Sequence, residues 1–167
     1  MDDNRQAFRE AMSRWATGVT VVGAAHDGRT AGMVASSFTS VSADPPTVLV
    51  AVSLRSRTLP VIEASGAFAV SILSSAQDQA FRVFAGITGE VPDRFAAAGD
   101  DIWSLETGSP ILAGSLAWFD CRLVTSFPGA TSHVILVGEV LASGVHADPG
   151  TEPLLYFARS TRRLGDT

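Results

Sequence analysis

Two runs dense in β-branched residues, 17–25 and 30–38, are separated only by the turn around His26-Asp27-Gly28. Asp-Gly between strand-like segments is a strong hairpin signal, because both residues tolerate the positive φ that a tight two-residue turn demands. The sheet therefore begins with two antiparallel strands. The same pattern returns downstream. Residues 115–125 alternate Ala117, Phe119, Cys121 and Leu123 against Trp118, Asp120 and Arg122, and after Phe127-Pro128-Gly129 another strand-like run covers 133–141. A last strand is expected over 153–157.

Helical signals are few and do not alternate regularly with the strands. Asp3 or Asn4 can cap a first helix over 4–16, whose Phe8, Met12 and Trp15 fall on one face. Pro45-Pro46 breaks the chain before the apolar run 47–52, which reads as a strand buried on both faces at the centre of the sheet. Pro60 in a first-turn position and Gly66 at the end mark a short helix over 59–64, before a strand over 68–73. A further helix over 76–85 closes at Gly86. Residues 86–110, rich in Gly and Pro, read as a long loop with one helical turn near 94–98. This order predicts a β-rich α+β chain, an antiparallel barrel with peripheral helices rather than a doubly wound sheet.

The 167 residues suit one domain, 1–167, with a core of its own. Hydrophobic residues make up 46% and charged residues 17%, an apolar balance that leaves surface for a second subunit and favours a homodimer. With a net charge of −5 and scattered basic residues, no stripe suits a phosphate backbone, so nucleic acid is not an expected partner. The first residues are acidic and no apolar run approaches a membrane span, so no membrane association is expected and the cytoplasm is the default location. Cys121 is the only cysteine, which excludes an intrachain disulfide, and His26, His133 and His146 have no metal spacing, so no metal site is expected.

No Gly-x-Gly-x-x-Gly follows a strand, and there is neither a Walker loop nor a His-Glu-x-x-His. Two other segments offer chemistry. Ser53-Leu54-Arg55-Ser56-Arg57-Thr58 lies between the 47–52 strand and the following helix, where hydroxyls, guanidinium groups and free N–H groups could converge on an anion. A plain surface turn in which Thr58 caps the helix would give the same pattern. Residues 32–42 place five hydroxyls between Ser36 and Ser42, donors and acceptors for the edge of a flat heteroaromatic ring, or simply a solvated strand end.

Phe8-Arg9-x-Ala11-Met12-x-Arg14-Trp15-Ala16-Thr17-Gly18-Val19-Thr20-Val21-Val22, then Gly32-Met33, Ser37-Phe38-Thr39-Ser40-Val41-Ser42-x-Asp44-Pro45-Pro46 and Ser56-Arg57-Thr58-Leu59, resemble the flavin reductase-like domain family. The resemblance runs from about Phe8 to Leu164 and implies the FMN-binding split barrel. It further implies an NAD(P)H-dependent flavin reductase, the reductase component of a two-component flavin-dependent monooxygenase.

On that resemblance the flavin, FMN or FAD, would lie against Met33, Val34, Ala35, Ser36, Ser37 and Ser42. Ser53, Leu54, Ser56, Arg57 and Thr58 would hold its ribityl phosphate, and His133 would stand near the nicotinamide of NADH or NADPH. Departures from the family's pattern fall at Val34 and Ser36, where Thr and Asn are frequent, and at Thr131-Ser132, where Gly-Asp is frequent. Two other outcomes stay open at this stage: a split-barrel oxidase with tightly bound flavin, and a non-catalytic flavin-binding or dimeric scaffold. All these readings require the hydroxyl-rich strand end and the arginine-flanked turn to face each other.

Overall fold

In the computed structural model, which describes residues 2–129 and 132–165, twelve strands and four helices follow one another around a seven-stranded sheet in which every pairing is antiparallel. In chain order these are α1 (Asp2–Ser13), β1 (Thr17–Gly18), β2 (Thr20–His26), β3 (Arg29–Ala35), β4 (Thr39–Ala43), β5 (Pro46–Ser53), α2 (Leu59–Ser65), β6 (Ala67–Ile72), α3 (Asp78–Phe84) and α4 (Arg94–Ala97). They continue with β7 (Ile102–Trp103), β8 (Ile111–Leu112), β9 (Ala117–Gly129), β10 (His133–Val145), β11 (Leu155–Phe157) and β12 (Ser160–Arg162). The main sheet runs β3-β2-β6-β9-β10-β5-β4.

The opening hairpin forms as its turn chemistry requires. Asp27 and Gly28 have φ of 48° and 74°, and His26 pairs with Arg29 across the turn. The helix after the arginine turn also follows its sequence signals, with Pro60 in the first turn and Gly66 closing it at φ 66°. Thr58, however, makes no side-chain cap bond, so capping does not account for that residue.

The sheet curls rather than lying open. Between β3 and β5 no ladder forms; instead Ser37 bridges them, its hydroxyl donating to Ala51 O at 2.9 Å and accepting from Ala51 N at 3.1 Å. Past this point the chain bends into β4, which pairs antiparallel with β5 through a register shift between Ser40 and Ser42. The result is an antiparallel split barrel with an unlaced seam between β3 and β5.

Alternating side chains of the curled sheet give the core. Val22, Ala24, Val48, Val50, Val52, Val70, Cys121 and Leu136 point inward, where α2 inserts Leu59, Val61 and Ile62. On the back of β2, Val19 and Val21 form a second cluster with α3, α4 and the segment around Leu112. The strands buried on both faces are therefore β2 and β6, each with five consecutive buried residues. Residues 47–52 do not fulfil that expectation. β5 lies one strand from the sheet edge, with its odd-numbered side chains only half-buried, because no helix covers that face. Residues 86–110, expected to be mostly loop, add β7 and pack through a buried carboxylate. Asp120 receives Thr107 N–H at 3.1 Å and the Thr107 hydroxyl, while Trp103 meets Trp118 edge to face at 4.8 Å.

Helix α1 stands apart from both clusters. The helix ends at Ser13, short of the expected 4–16, so its apolar face is Phe8 and Met12, 64% and 51% exposed, with Trp15 beyond it 69% exposed; Glu10 to Arg159 (3.2 Å) ties the helix to the rest of the chain. Among the described residues no helix is long and apolar enough to cross a membrane.

Candidate functional site at the seam

The two segments singled out in the sequence meet along the unlaced seam. The Ser56 hydroxyl lies 3.2 Å from Met33 Sδ, and Ser37 is bonded to Ala51 two residues before Ser53. Two cavities open along this line. The first, of about 520 Å³, has β3 as its floor, the turn 55–58 as one wall and Val91–Phe95 as the other. That volume is in the range of small-molecule sites. Met33, Ser56, Arg57 and Thr58 line it. The second, of about 430 Å³, takes Ser36, Ser37, Phe38 and Thr39 on one side and Trp15 to Gly18 with Thr20 on the other.

Local hydrogen bonds shape the turn. Ser53 Oγ accepts from Arg55 N at 3.2 Å, Ser56 N donates to Ser53 O at 2.9 Å, and Ser56 Oγ accepts from Thr58 N at 3.2 Å. With the backbone thus folded on itself, the Arg55 and Arg57 side chains project outward, and both are exposed. Arg57 leans 3.5 Å from Glu90, a solvent-exposed pair that holds little energy and leaves the guanidinium open to a stronger anion.

The opposite wall is fixed by Arg94. Its Nη1 donates to Gly32 O and to Phe84 O, each at 3.3 Å, which staples α4 and the end of α3 to β3. Asp93 is occupied with capping α4, accepting from Phe95 N at 2.9 Å and Ala96 N at 3.1 Å. With Arg29 at the start of β3, four of the chain's twelve basic residues line this one cavity, in a protein of net charge −5. An anionic ligand is what such a lining selects.

His133 is brought to the same region by register. It pairs directly with Ser53 across β10 and β5, and Leu54 N donates to Ser132 O at 3.0 Å. Directly opposed residues project from the same face, so the exposed imidazole stands beside the head of the arginine turn. Its Nδ1 is 2.9 Å from Ser132 Oγ. Thr131, where the family pattern departs, lies outside the described residues.

Other sequence candidates are placed differently. Ala35 is buried in the barrel interior, and Val34 packs against the second cluster on the opposite face of β3, so neither side chain lines a cavity. Ser42 is exposed and spends its hydroxyl on Asp44 O at 3.0 Å. Leu54 is 59% exposed beside the turn. Both hydrogen-bonding roles of the Ser37 hydroxyl go to Ala51, which leaves backbone groups and the exposed Ser36 for a ligand. Cys121, between Phe68 and Val140 in the ladder, is buried, and burial followed by the charge of Asp120 pushes its thiol up to about 12. It stays protonated and plays no part in chemistry.

Sequence reasoning did not find Arg29, Arg94, Trp15 or Thr20 as cavity residues. Nothing marks Arg94 in advance, because it reaches Gly32 across 62 positions.

Comparison with known proteins gives a consistent picture. The flavin reductase like domain matches residues 12–165. The chain is 40% identical over 160 residues to the reductase component of 4-hydroxyphenylacetate 3-monooxygenase from Thermus thermophilus, covering 96% of this chain and 97% of that one. It is 38% identical to an FMN reductase (NADH), RutF 2, from Methylorubrum extorquens, covering 95% and 88%. Among solved structures, the NADH:FAD oxidoreductase SgcE6 of Streptomyces globisporus, in complex with NAD and FAD fragments, superposes with a TM-score of 0.87 at 32% identity, covering 99% and 96%.

Proposed function

The chain belongs to the flavin reductase-like domain family, and from that premise we propose that residues 1–167 act as one NAD(P)H-dependent flavin reductase domain. It reduces FMN or FAD and releases the dihydroflavin to a separate flavin-dependent monooxygenase. The observation that carries the reading is the seam itself, where Met33 touches Ser56 of the arginine turn while the hydroxyl run that follows Met33 on the chain lines the second cavity.

The donor set suits a phosphorylated flavin. Arg57 supplies charge, and Ser56 with the neighbouring backbone supplies hydrogen-bond partners, the combination that phosphate oxygens favour. Ser36 to Thr39 line the second cavity, and their backbone N–H groups are the donors that would stabilise negative charge on a reduced ring there. When bound, the flavin accepts hydride at N5 from the nicotinamide donor carbon and a proton from water, and NAD(P)⁺ leaves.

The protein's own part is to hold the two rings within roughly 3 to 3.5 Å of one another and to exclude competing geometries. His133, exposed beside Ser53, is the side chain assigned to the nicotinamide. No general acid is needed for the hydride itself. Both cavities open to solvent, the first of them beside the exposed turn 55–58, so the hold on flavin is modest and the product can leave.

The assembly belongs to this proposal too. Val41, Leu54 and Phe127 are 54%, 59% and 52% exposed along the half-covered face of β4, β5 and β9, and α1 leaves its apolar face bare. A homodimer covers both. The buried free thiol of Cys121 suits a reducing cytoplasm. Anaerobic mixing with FMN or FAD and NADH or NADPH tests the activity: the visible flavin band bleaches only with protein and nicotinamide together. NADH oxidation that proceeds at full rate without added flavin would overturn the released-substrate reading.

A further inference from the structure

We propose that the arginine-lined cavity extends beyond the first phosphate into a subsite for the adenylate half of a dinucleotide, so that this chain binds FAD in preference to FMN. The inference rests on the assignment of the turn 53–58 to the flavin's first phosphate. FMN ends at that phosphate; FAD continues through a second phosphate to an adenosine.

A phosphate on Ser56, Arg57 and Thr58 sits next to Met33. Arg29 lies four residues further along β3, on the same face as Met33, with only Ala31 between them. Four residues of extended strand span about 13 Å, more than one arginine side chain covers. A phosphomonoester at the turn therefore leaves Arg29 unused, yet Arg29 lines the same cavity.

The charge count points the same way. Among the described residues Arg29 and Arg55 have no ion-pair or hydrogen-bond partner for their guanidinium groups. Arg94 spends only Nη1 on backbone carbonyls. Against these stand Asp93, whose carboxylate is occupied by α4, and Glu90, which is 91% exposed. Three guanidinium groups beyond the one at Arg57 exceed what a single phosphate needs, and they match a diphosphate. Ala31 on the floor and Pro92 on the wall line the same cavity and offer apolar surface against which a nucleoside can pack.

The nicotinamide substrate carries the same adenylate group, so the experiment separates the two sources. Dissociation constants of FAD and FMN are measured by flavin fluorescence quenching, and that of NADH by its own fluorescence, for the wild type, Arg29→Gln and Arg55→Gln; AMP serves as competitor. Wild type binds FAD about tenfold more tightly than FMN, the margin one charge-assisted hydrogen bond provides. Arg29→Gln removes that margin with FMN affinity unchanged, and AMP displaces FAD but not FMN.

Equal affinities for both flavins before and after substitution overturn the subsite, and so does an equal weakening of both. Weakened NADH with unchanged FAD assigns the adenylate to the nicotinamide and overturns the flavin preference. Failure of the wild type to bind either flavin sinks the reading of the turn as well. Arg55→Gln, in an exposed loop, repeats the test should Arg29→Gln not fold.

Discussion

Gly32 is the point at which barrel, helices and cavity meet, and Gly32→Ala is the sharpest test of that junction. A Cβ placed there would lie 2.5 Å from Phe84 Cε1 and 2.9 Å from Phe95 Cζ. Both rings are nearly fully buried and meet edge to face at 4.9 Å, so neither can step aside without moving its helix. Ordinary carbon contacts begin near 3.5 Å, and overpacking of this kind costs about 3 kcal/mol. Restricting the unfolded chain returns about 0.7 kcal/mol, since alanine has less freedom to lose than glycine. The net loss is about 2 kcal/mol, which for a chain of this size lowers Tm by roughly 4 to 8 °C. Displacement of α3 and α4 also draws Arg94 from Gly32 O, so flavin affinity falls with stability. Differential scanning calorimetry reads the first effect, with Gly18→Ala as control because an added Cβ there meets nothing within 4 Å, and fluorescence titration reads the second. A Gly32→Ala protein melting within about 1 °C of wild type would refute the argument that the aromatic pair is seated directly on the strand.

Further expectations follow from other contacts. Arg57→Ala weakens FMN by roughly 10- to 100-fold, the worth of a hydrogen bond to a charged group, and leaves riboflavin unaffected because riboflavin has no phosphate; paired titrations decide it. Asp120→Ala leaves the Thr107 N–H without its partner and costs about 2 to 4 kcal/mol in urea denaturation, with quenching of Trp103 relaxed as the loop lifts. Cys121 has its thiol raised to about 12 in the folded state, above its unfolded value, so its contribution to stability is complete below roughly pH 8.5 and declines as pH rises above that towards the folded value. Iodoacetamide accordingly labels it in denaturant but not in buffer. His133→Ala raises KM for the nicotinamide several-fold with flavin affinity unchanged, a split that steady-state kinetics with each substrate varied would reveal.

Much of this architecture is written locally. Asp27-Gly28 forces the first hairpin, Pro60 and Gly66 bracket α2, and the alternation through Cys121 sets one face of β9 inward, each through a rule spanning a few residues. The turn 53–58 and the hydroxyl run 36–42 stand out as candidate sites for the same reason. What escaped was everything decided at a distance. Residues 47–52 have the composition of a doubly buried strand, but burial of the second face depends on which helices cross it, and α3 and α4 cover β2 instead. Phe8 and Met12 keep helical spacing yet stay largely exposed, while Trp15, past the end of the helix, lines the second cavity. Arg29 and Arg94 become neighbours of the turn only once the sheet curls, so no pattern in the sequence could single them out.

The central claim, that the flavin's phosphate end lies in the β3 and β5 seam, is tested most directly by a crystal structure of the protein with FMN. The account predicts phosphate oxygens within hydrogen-bonding distance of Arg57 and Ser56, with the ring towards Ser36. Density for FMN anywhere that leaves both of those side chains untouched would contradict it.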